Sequence, residues 1–404
     1  MKVALGRAAR VNALIGTGHF LSHYYGICLP PLFLAWQKTF GVSFAELGLS
    51  VALMSATTAL LQTPVGFLVD RYGARRFLIG GTLLMALSVS AMSFATAYWQ
   101  LVLLAMLSGM GNSVIHPADY AILSGSIAHE RMGRSFAFHT FSGNVGSSIA
   151  PPVTAILLLA IGWRATLLTV GLIGIPMVLA ILWQSRILTD QTRPHGSSAG
   201  SMISGSALLM TRPILLFFGF FLLSAMSGAG IQAWLITVLH TVHGMSLESG
   251  STALTGYLVG ATSGILVGGW AVDRTRRLLT FVVTLTILAA GLILVVATVS
   301  LGDLPTVGVL FVAGILVGAS RTPRDVMVKD AAPPGQMGKV FGFVSAGLPL
   351  GAALTPVPYG FLIDAGRPDL VLVLVAVLLL GSLLFMGSAR AVAKPAAGVA
   401  VPAE

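Results

Sequence analysis

Gly66-Phe-Leu-Val-Asp70-Arg71-Tyr-Gly73-Ala-Arg75-Arg76 closes one long apolar segment, and Gly269-Trp-Ala-Val-Asp273-Arg274-Thr-Arg276-Arg277 closes another 203 residues later. A second correspondence runs at an offset of 205 or 206 residues. It pairs His116-Pro117-Ala-Asp119 with Thr322-Pro323-Arg-Asp325, Met132-Gly133-Arg134-Ser-Phe136 with Met337-Gly338-Lys339-Val-Phe341, and Gly146 to Pro151 with Gly351 to Pro356. Matches in order, at offsets of 203 to 206 that are near half of the 404 residues, make the chain a tandem repeat.

The composition between these motifs sets what the repeat is made of. Hydrophobic residues make up 56% and charged residues 9%, against about 25% charged in a soluble domain. So few charges cannot coat a water-soluble body of this size, and the chain reads as an integral membrane protein. Dividing it at polar breaks gives twelve segments near the roughly 20 residues that cross a bilayer as a helix: 11–36, 46–69, 77–96, 99–125, 135–160, 163–184, 213–239, 249–272, 278–300, 304–328, 339–363 and 369–389. A transmembrane barrel would show alternating strands of only about ten residues. Val11 to Trp36 follows Lys2, Arg7 and Arg10 but is too long for a signal-peptide core, and is read as a retained first span. Cys28, the single cysteine, excludes an internal disulfide framework and a Cys-rich metal site.

Lys and Arg fix the expected orientation. Eighteen lie on one side of the spans against three on the other (Lys38, Arg164 and Arg367), so both termini are expected in the cytoplasm and the protein in the inner membrane. The net charge of +10 is scattered between apolar runs, which argues against nucleic acid. The longest polar break falls at the midpoint. It divides an N-terminal six-helix bundle (1–185) from a C-terminal one (213–390) through a cytoplasmic linker (186–212), with an unstructured tail at 391–404. The expected fold is all-α, with twelve transmembrane helices in two six-helix bundles related by a pseudo-two-fold along the membrane normal. In such parallel repeats a central cavity lies at the seam.

With twelve spans, the Gly66–Arg76 motif and its second copy resemble the major facilitator superfamily over essentially the whole chain. That resemblance implies transport by alternating access. It also implies a cytoplasmic gate built from Gly66, Asp70, Arg71, Gly73, Arg75 and Arg76 with Asp273, Arg274, Arg276 and Arg277. A carboxylate at Asp70 or Asp273 suits the N-terminus of a helix in the other half, near Gly338 or Arg134. Gly109-Met-Gly111-Asn-Ser-Val-Ile-His116-Pro117, Arg134 and Gly143-Asn144-Val-Gly146-Ser-Ser-Ile-Ala-Pro151 resemble the fosmidomycin-resistance-like efflux branch. Ala150-Pro151-Pro152 departs from that superfamily's antiporter signature, which has glycine before proline.

Asp119, Arg321, Arg324 and Asp325 fall inside spans. At about 2.5 to 3.5 kcal/mol each in lipid, they must face a protein-lined or wet interior. Asn112, His116 and Asp119 share one face of span four, and Gly318, Arg321, Arg324 and Asp325 one face of span ten. Span one adds His19, Ser22, His23 and Gly26; span five adds His139 and Ser142. Arg321 and Arg324 carry guanidinium forks that match a carboxylate or phosphonate. They are expected to bind an anionic or zwitterionic substrate with His19, His23, Tyr24, His116, Gln232 and Trp234, while Phe20 and Tyr25 extend an apolar wall. Asp119, Asp325, His116 and His139 are the expected proton carriers. The proton gradient is then the energy source, with no cofactor.

Structural readings stay open: Arg324 paired with Asp119 or Asp325, and Gln232 or Trp234 as packing between helices. So does a proton-driven efflux antiporter of amphipathic drugs, or a membrane sensor that has lost transport. No nucleophile-base-orienter set is visible, so the chain is not read as an enzyme. His19-x-x-x-His23 has metal-ligand spacing but lacks the metalloprotease glutamate, and no metal is expected. The expected partners are a small-molecule substrate, protons and the lipid bilayer, with the protein monomeric and bound to no nucleic acid.

Overall fold

A computed structural model describes residues 6–128, 131–189, 209–272, 274–275, 277–331, 340 and 343–393. Residues 190–208 of the linker, the tail from 394, Asp273 and Arg276 lie outside them. Among the described residues the structure is helical throughout. Ten stretches are long and apolar enough to cross a membrane. One of them, Ser135–Ile187, contains two spans, because Gly162 at φ +77° breaks the helix Met132–Leu172 between spans five and six. The first helix, α1 (Arg7–Ile27), is too polar to count by hydropathy and completes the twelve. The chain is a multi-pass membrane protein of two six-helix bundles. Large apolar side chains on its outside, such as Leu60, Leu159, Leu266 and Leu384, are left exposed for lipid.

Several expected spans are broken, and proline explains where. Span one stops at Ile27 before Pro30 and Pro31, and resumes as α2 (Phe33–Phe40). Span two is α3 (Phe44–Tyr72), which ends at Gly73, held at φ +93°. Span three is α4 (Ala74–Ala91). Span four is split into α5 (Tyr98–Asn112) and α6 (Ile115–Ser126): Pro117, in the first turn of α6, has no N–H for the Ser113 carbonyl, and the break falls at Ser113 and Val114. Spans five and six form α7 (Met132–Leu172) and α8 (Gly174–Gln184).

In the second half come α9 (Arg212–His243), α10 (Leu247–Val272), α11 (Leu278–Thr298) and α12 (Asp303–Ala331). Span eleven is broken at Thr355 into α13 (Gly347–Leu354) and α14 (Pro356–Asp364), and α15 (Asp369–Ala393) is the last span. The closest helix pair is α10 against α12. Gly260, Gly264 and Gly268 lie on the backbone of Phe311, Ile315 and Ala319, and Gly314 and Gly318 on the backbone of Tyr257 and Ala261. Any side chain at these glycines would force the helices apart, so Gly318 is a packing residue rather than part of a polar face.

At the end away from the basic loops the two halves are latched together. The Asp364 carboxylate, at the end of α14, accepts the backbone N–H groups of Phe44 (Oδ1, 2.8 Å) and Ala45 (Oδ2, 2.8 Å) at the start of α3. An anion there satisfies two orphan donors and meets the positive end of the helix dipole. Beside it the Pro356 carbonyl accepts Trp234 Nε1–H at 2.9 Å and touches Gly48, where a side chain would not fit.

Candidate functional site

Between the halves lies a cavity of about 500 Å³, within the range of small-molecule sites. Span one contributes Ser22, His23 and Gly26; spans four and five contribute Asn112, His116, Asn144 and Ser147. The second half contributes Gln232 from α9, Tyr257 from α10, and Ser320, Arg321 and Arg324 from α12. Asn112 and His116 of span four and Arg321 and Arg324 of span ten thus line one chamber.

On the second-half wall, Arg324 bonds Asp325 through Nε (2.9 Å to Oδ1) and Nη2 (2.8 Å), with its guanidinium 4.0 Å over the Phe221 ring. Arg321 makes no hydrogen bond or ion pair with any described residue. A guanidinium fork exposed in a cavity wall has donors left for a bound group.

On the first-half wall, four histidines form one cluster. The His19 ring stacks on His139 (centroids 3.6 Å apart) and meets His23 and His116 edge-on at 4.5 and 5.0 Å. Gly143 of α7 makes this possible, since a Cβ there would stand 2.6 Å from the His19 ring. His19 Nδ1–H donates to the His139 carbonyl at 2.7 Å, and its Nε2 has no partner among the described residues. His23 Nδ1 shares a 3.1 Å hydrogen bond with the Ser147 hydroxyl. His139 Nε2–H donates to Asp119 Oδ2 at 2.9 Å, with both side chains buried, and Asp119 Oδ1 is left without a partner. The break at Pro117 turns Asp119 away from Asn112, so Asp119 lies behind the histidines rather than on the chamber surface.

Other expected residues fall elsewhere. Asp325 is tied to Arg324 and its side chain is 45% exposed, so it does not face Asp119 across the chamber. Arg324 pairs with Asp325 and not with Asp119. Tyr24 is buried with its hydroxyl 3.5 Å from that of Thr154, and Tyr25 donates to the Gly171 carbonyl at 3.1 Å. Trp234 is fully buried and bonded to Pro356, with Phe33 and Phe44 against its ring. Phe20 packs its backbone on Gly146. These aromatics support the wall from behind, and Trp234 belongs to the latch. Ile27, Met54, Phe220 and Leu258 supply the apolar lining instead.

Of the expected gate, Gly66 has open space around it and Gly73 makes the turn out of α3. Arg75 Nη1 donates to the Ser185 carbonyl at 2.8 Å, tying the loop to the end of span six. Arg71 and Arg274 lie over the rings of Tyr72 and Trp270. Arg76 lies in the first turn of α4, and Arg277 precedes α11. The side chain of Asp70, together with Asp273, Arg276 and residues 332–339, lies outside the described residues.

Sequence reasoning missed Asp364. Its signal was present, since Gly360-Phe-Leu-Ile-Asp364 repeats the pattern Gly66-Phe-Leu-Val-Asp70 at the opposite end of the molecule.

The comparisons with known proteins agree with this architecture. The Major Facilitator Superfamily profile matches residues 15–303 and 246–403. A fosmidomycin resistance protein of Escherichia coli is 25% identical over 360 residues, covering 83% of each chain. A probable L-galactonate transporter of the same species is 26% identical over 260 residues; that match spans 59% of this chain and 56% of that protein. A bacterial homologue of the human lysosomal transporter Spinster, solved inward-facing and unoccupied, superposes with a TM-score of 0.77 at 14% identity over 96% of this chain and 97% of that one. The two repeated bundles, the chamber at their seam and the profile match along nearly the whole chain lead to one conclusion: the protein belongs to the major facilitator superfamily, whose members are transporters and not enzymes.

Proposed function

We propose that this protein moves a small organic anion or zwitterion across the cytoplasmic membrane by alternating access, driven by protons. The single observation that carries the reading is Arg321, a guanidinium in the chamber wall that makes no hydrogen bond or ion pair among the described residues. One relative's name includes L-galactonate, an organic anion, which fits such a seat. Asp119 carries the proton in this reading. It is buried, one oxygen is held by His139, and the other is free to take a proton.

The basic end is the cytoplasmic one by its excess of Lys and Arg, with both termini and the linker there. The latch at Asp364 then closes the outer face, and the chamber opens inward. The Asp70 motif forms the matching inner gate, and residues 1–185 and 213–390 rock against each other as the two bodies. The protein acts as a monomer and needs no cofactor beyond the gradient.

The test is direct binding of small carboxylates and phosphonates to the purified protein, compared with hydrophobic cations of similar size. Saturable anion binding that weakens in Arg321→Gln supports the reading. Preference for the cations, indifferent to Arg321→Gln, would replace it with drug efflux through the apolar lining.

A further inference from the structure

The geometry points to a binding site for a divalent late-transition-metal cation, of the zinc, nickel or cobalt class, on His19, His23 and His116. One ring nitrogen from each lies within 4.8 Å of those of the other two. Tetrahedral zinc with imidazole bonds of about 2.0 to 2.1 Å needs nitrogens about 3.3 Å apart, so rotamer adjustments of roughly an ångström complete the site.

Two further observations separate this trio from histidines that merely pack together. His19 Nδ1–H is committed to the His139 carbonyl, which fixes the tautomer and leaves the lone pair on Nε2. That Nε2 is buried and has no partner among the described residues. A backbone carbonyl orienting the far nitrogen is the usual outer support of a metal-bound imidazole. In His23 the Nδ1 bond to Ser147 plays the same part and leaves Nε2 for the ion. His116 makes no hydrogen bond with described residues, so its ring is available. Three neutral nitrogen ligands favour a borderline-soft cation over magnesium or calcium, which require oxygen.

His23 and His116 line the chamber that Arg321 also lines. The fourth coordination position therefore faces the chamber, where an oxygen of the anion can complete it. That last step rests on the anion reading; binding of the cation itself does not.

Zn2+ alone, titrated by calorimetry into full-length protein purified without a polyhistidine tag, tests the site. The expected result is one ion per chain, with an X-ray absorption spectrum showing imidazole nitrogens at about 2.0 to 2.1 Å. His23→Gln and His116→Gln should each weaken binding at least about tenfold, while Mg2+ does not compete. Elution profile and melting temperature confirm that the variants are folded, and the wild-type spectrum stands even if one of them is not. Absence of zinc binding, or equal binding by the His19→Gln/His23→Gln/His116→Gln triple variant, would overturn the proposal. Zinc bound without any effect on anion affinity would leave the cation site standing and remove only the bridging step.

Discussion

In the proposed mechanism Asp119 and Arg321 take separate parts at the residue scale, and they differ in burial and partner. Asp119 is buried with His139 on one oxygen, whereas Arg321 lies in the chamber wall with no hydrogen bond or ion pair among the described residues. Asp119→Asn should therefore abolish transport driven by a pH gradient in proteoliposomes while substrate counterflow continues. Loss of both together would make Asp119 a structural residue. Arg321→Gln should weaken anion binding by about 10- to 150-fold, the loss of a charge-assisted hydrogen bond of about 1.5 to 3 kcal/mol. An unchanged dissociation constant would remove the arginine from the site. Gly143→Ala places a methyl against the His19 ring at 2.6 Å, and the cluster must shift. Altered histidine resonances in NMR, with the helical content unchanged, are the expected signature.

At the scale of elements, the two halves are joined at the start of span two. The carboxylate of Asp364 caps α3 from the other half. Capping bonds of this kind are each worth about 1 kcal/mol. Asp364→Ala should shift the balance between states about fivefold per kcal/mol lost, toward the state open on the far face. Spin labels at Ser43 and Arg367, flanking the latch, would report that shift as a longer distance; an unchanged distribution would show that the contact is incidental.

The sequence was legible here in proportion to how local the cause is. The apolar spans, the repeat and the polar positions of spans four and ten follow from residue type and spacing, and the structure places Asn112, His116, Arg321 and Arg324 in one chamber. Spacing could not show that Trp234 turns to Pro356 and Tyr24 to Thr154, since which face of an apolar helix meets a neighbour is decided by packing. Nor could it rotate Asp119 away from Asn112, because the break before Pro117 disrupts the 3.6-residue period on which that reading relied.

For the whole molecule, the account reduces to one chamber that faces each side of the membrane in turn. The native Cys28 is buried, so a Cys28→Ser background carrying Ser320→Cys, beside Arg321 in the wall, supplies a single reporter. The decisive measurement is its reaction with a membrane-impermeant maleimide applied separately to each face of oriented vesicles. Alternating access requires labelling from the basic face in the unmodified latch background, and labelling from the far face that rises with Asp364→Ala and responds to substrate. Reaction from one face alone, under every ligand and latch condition, would contradict it.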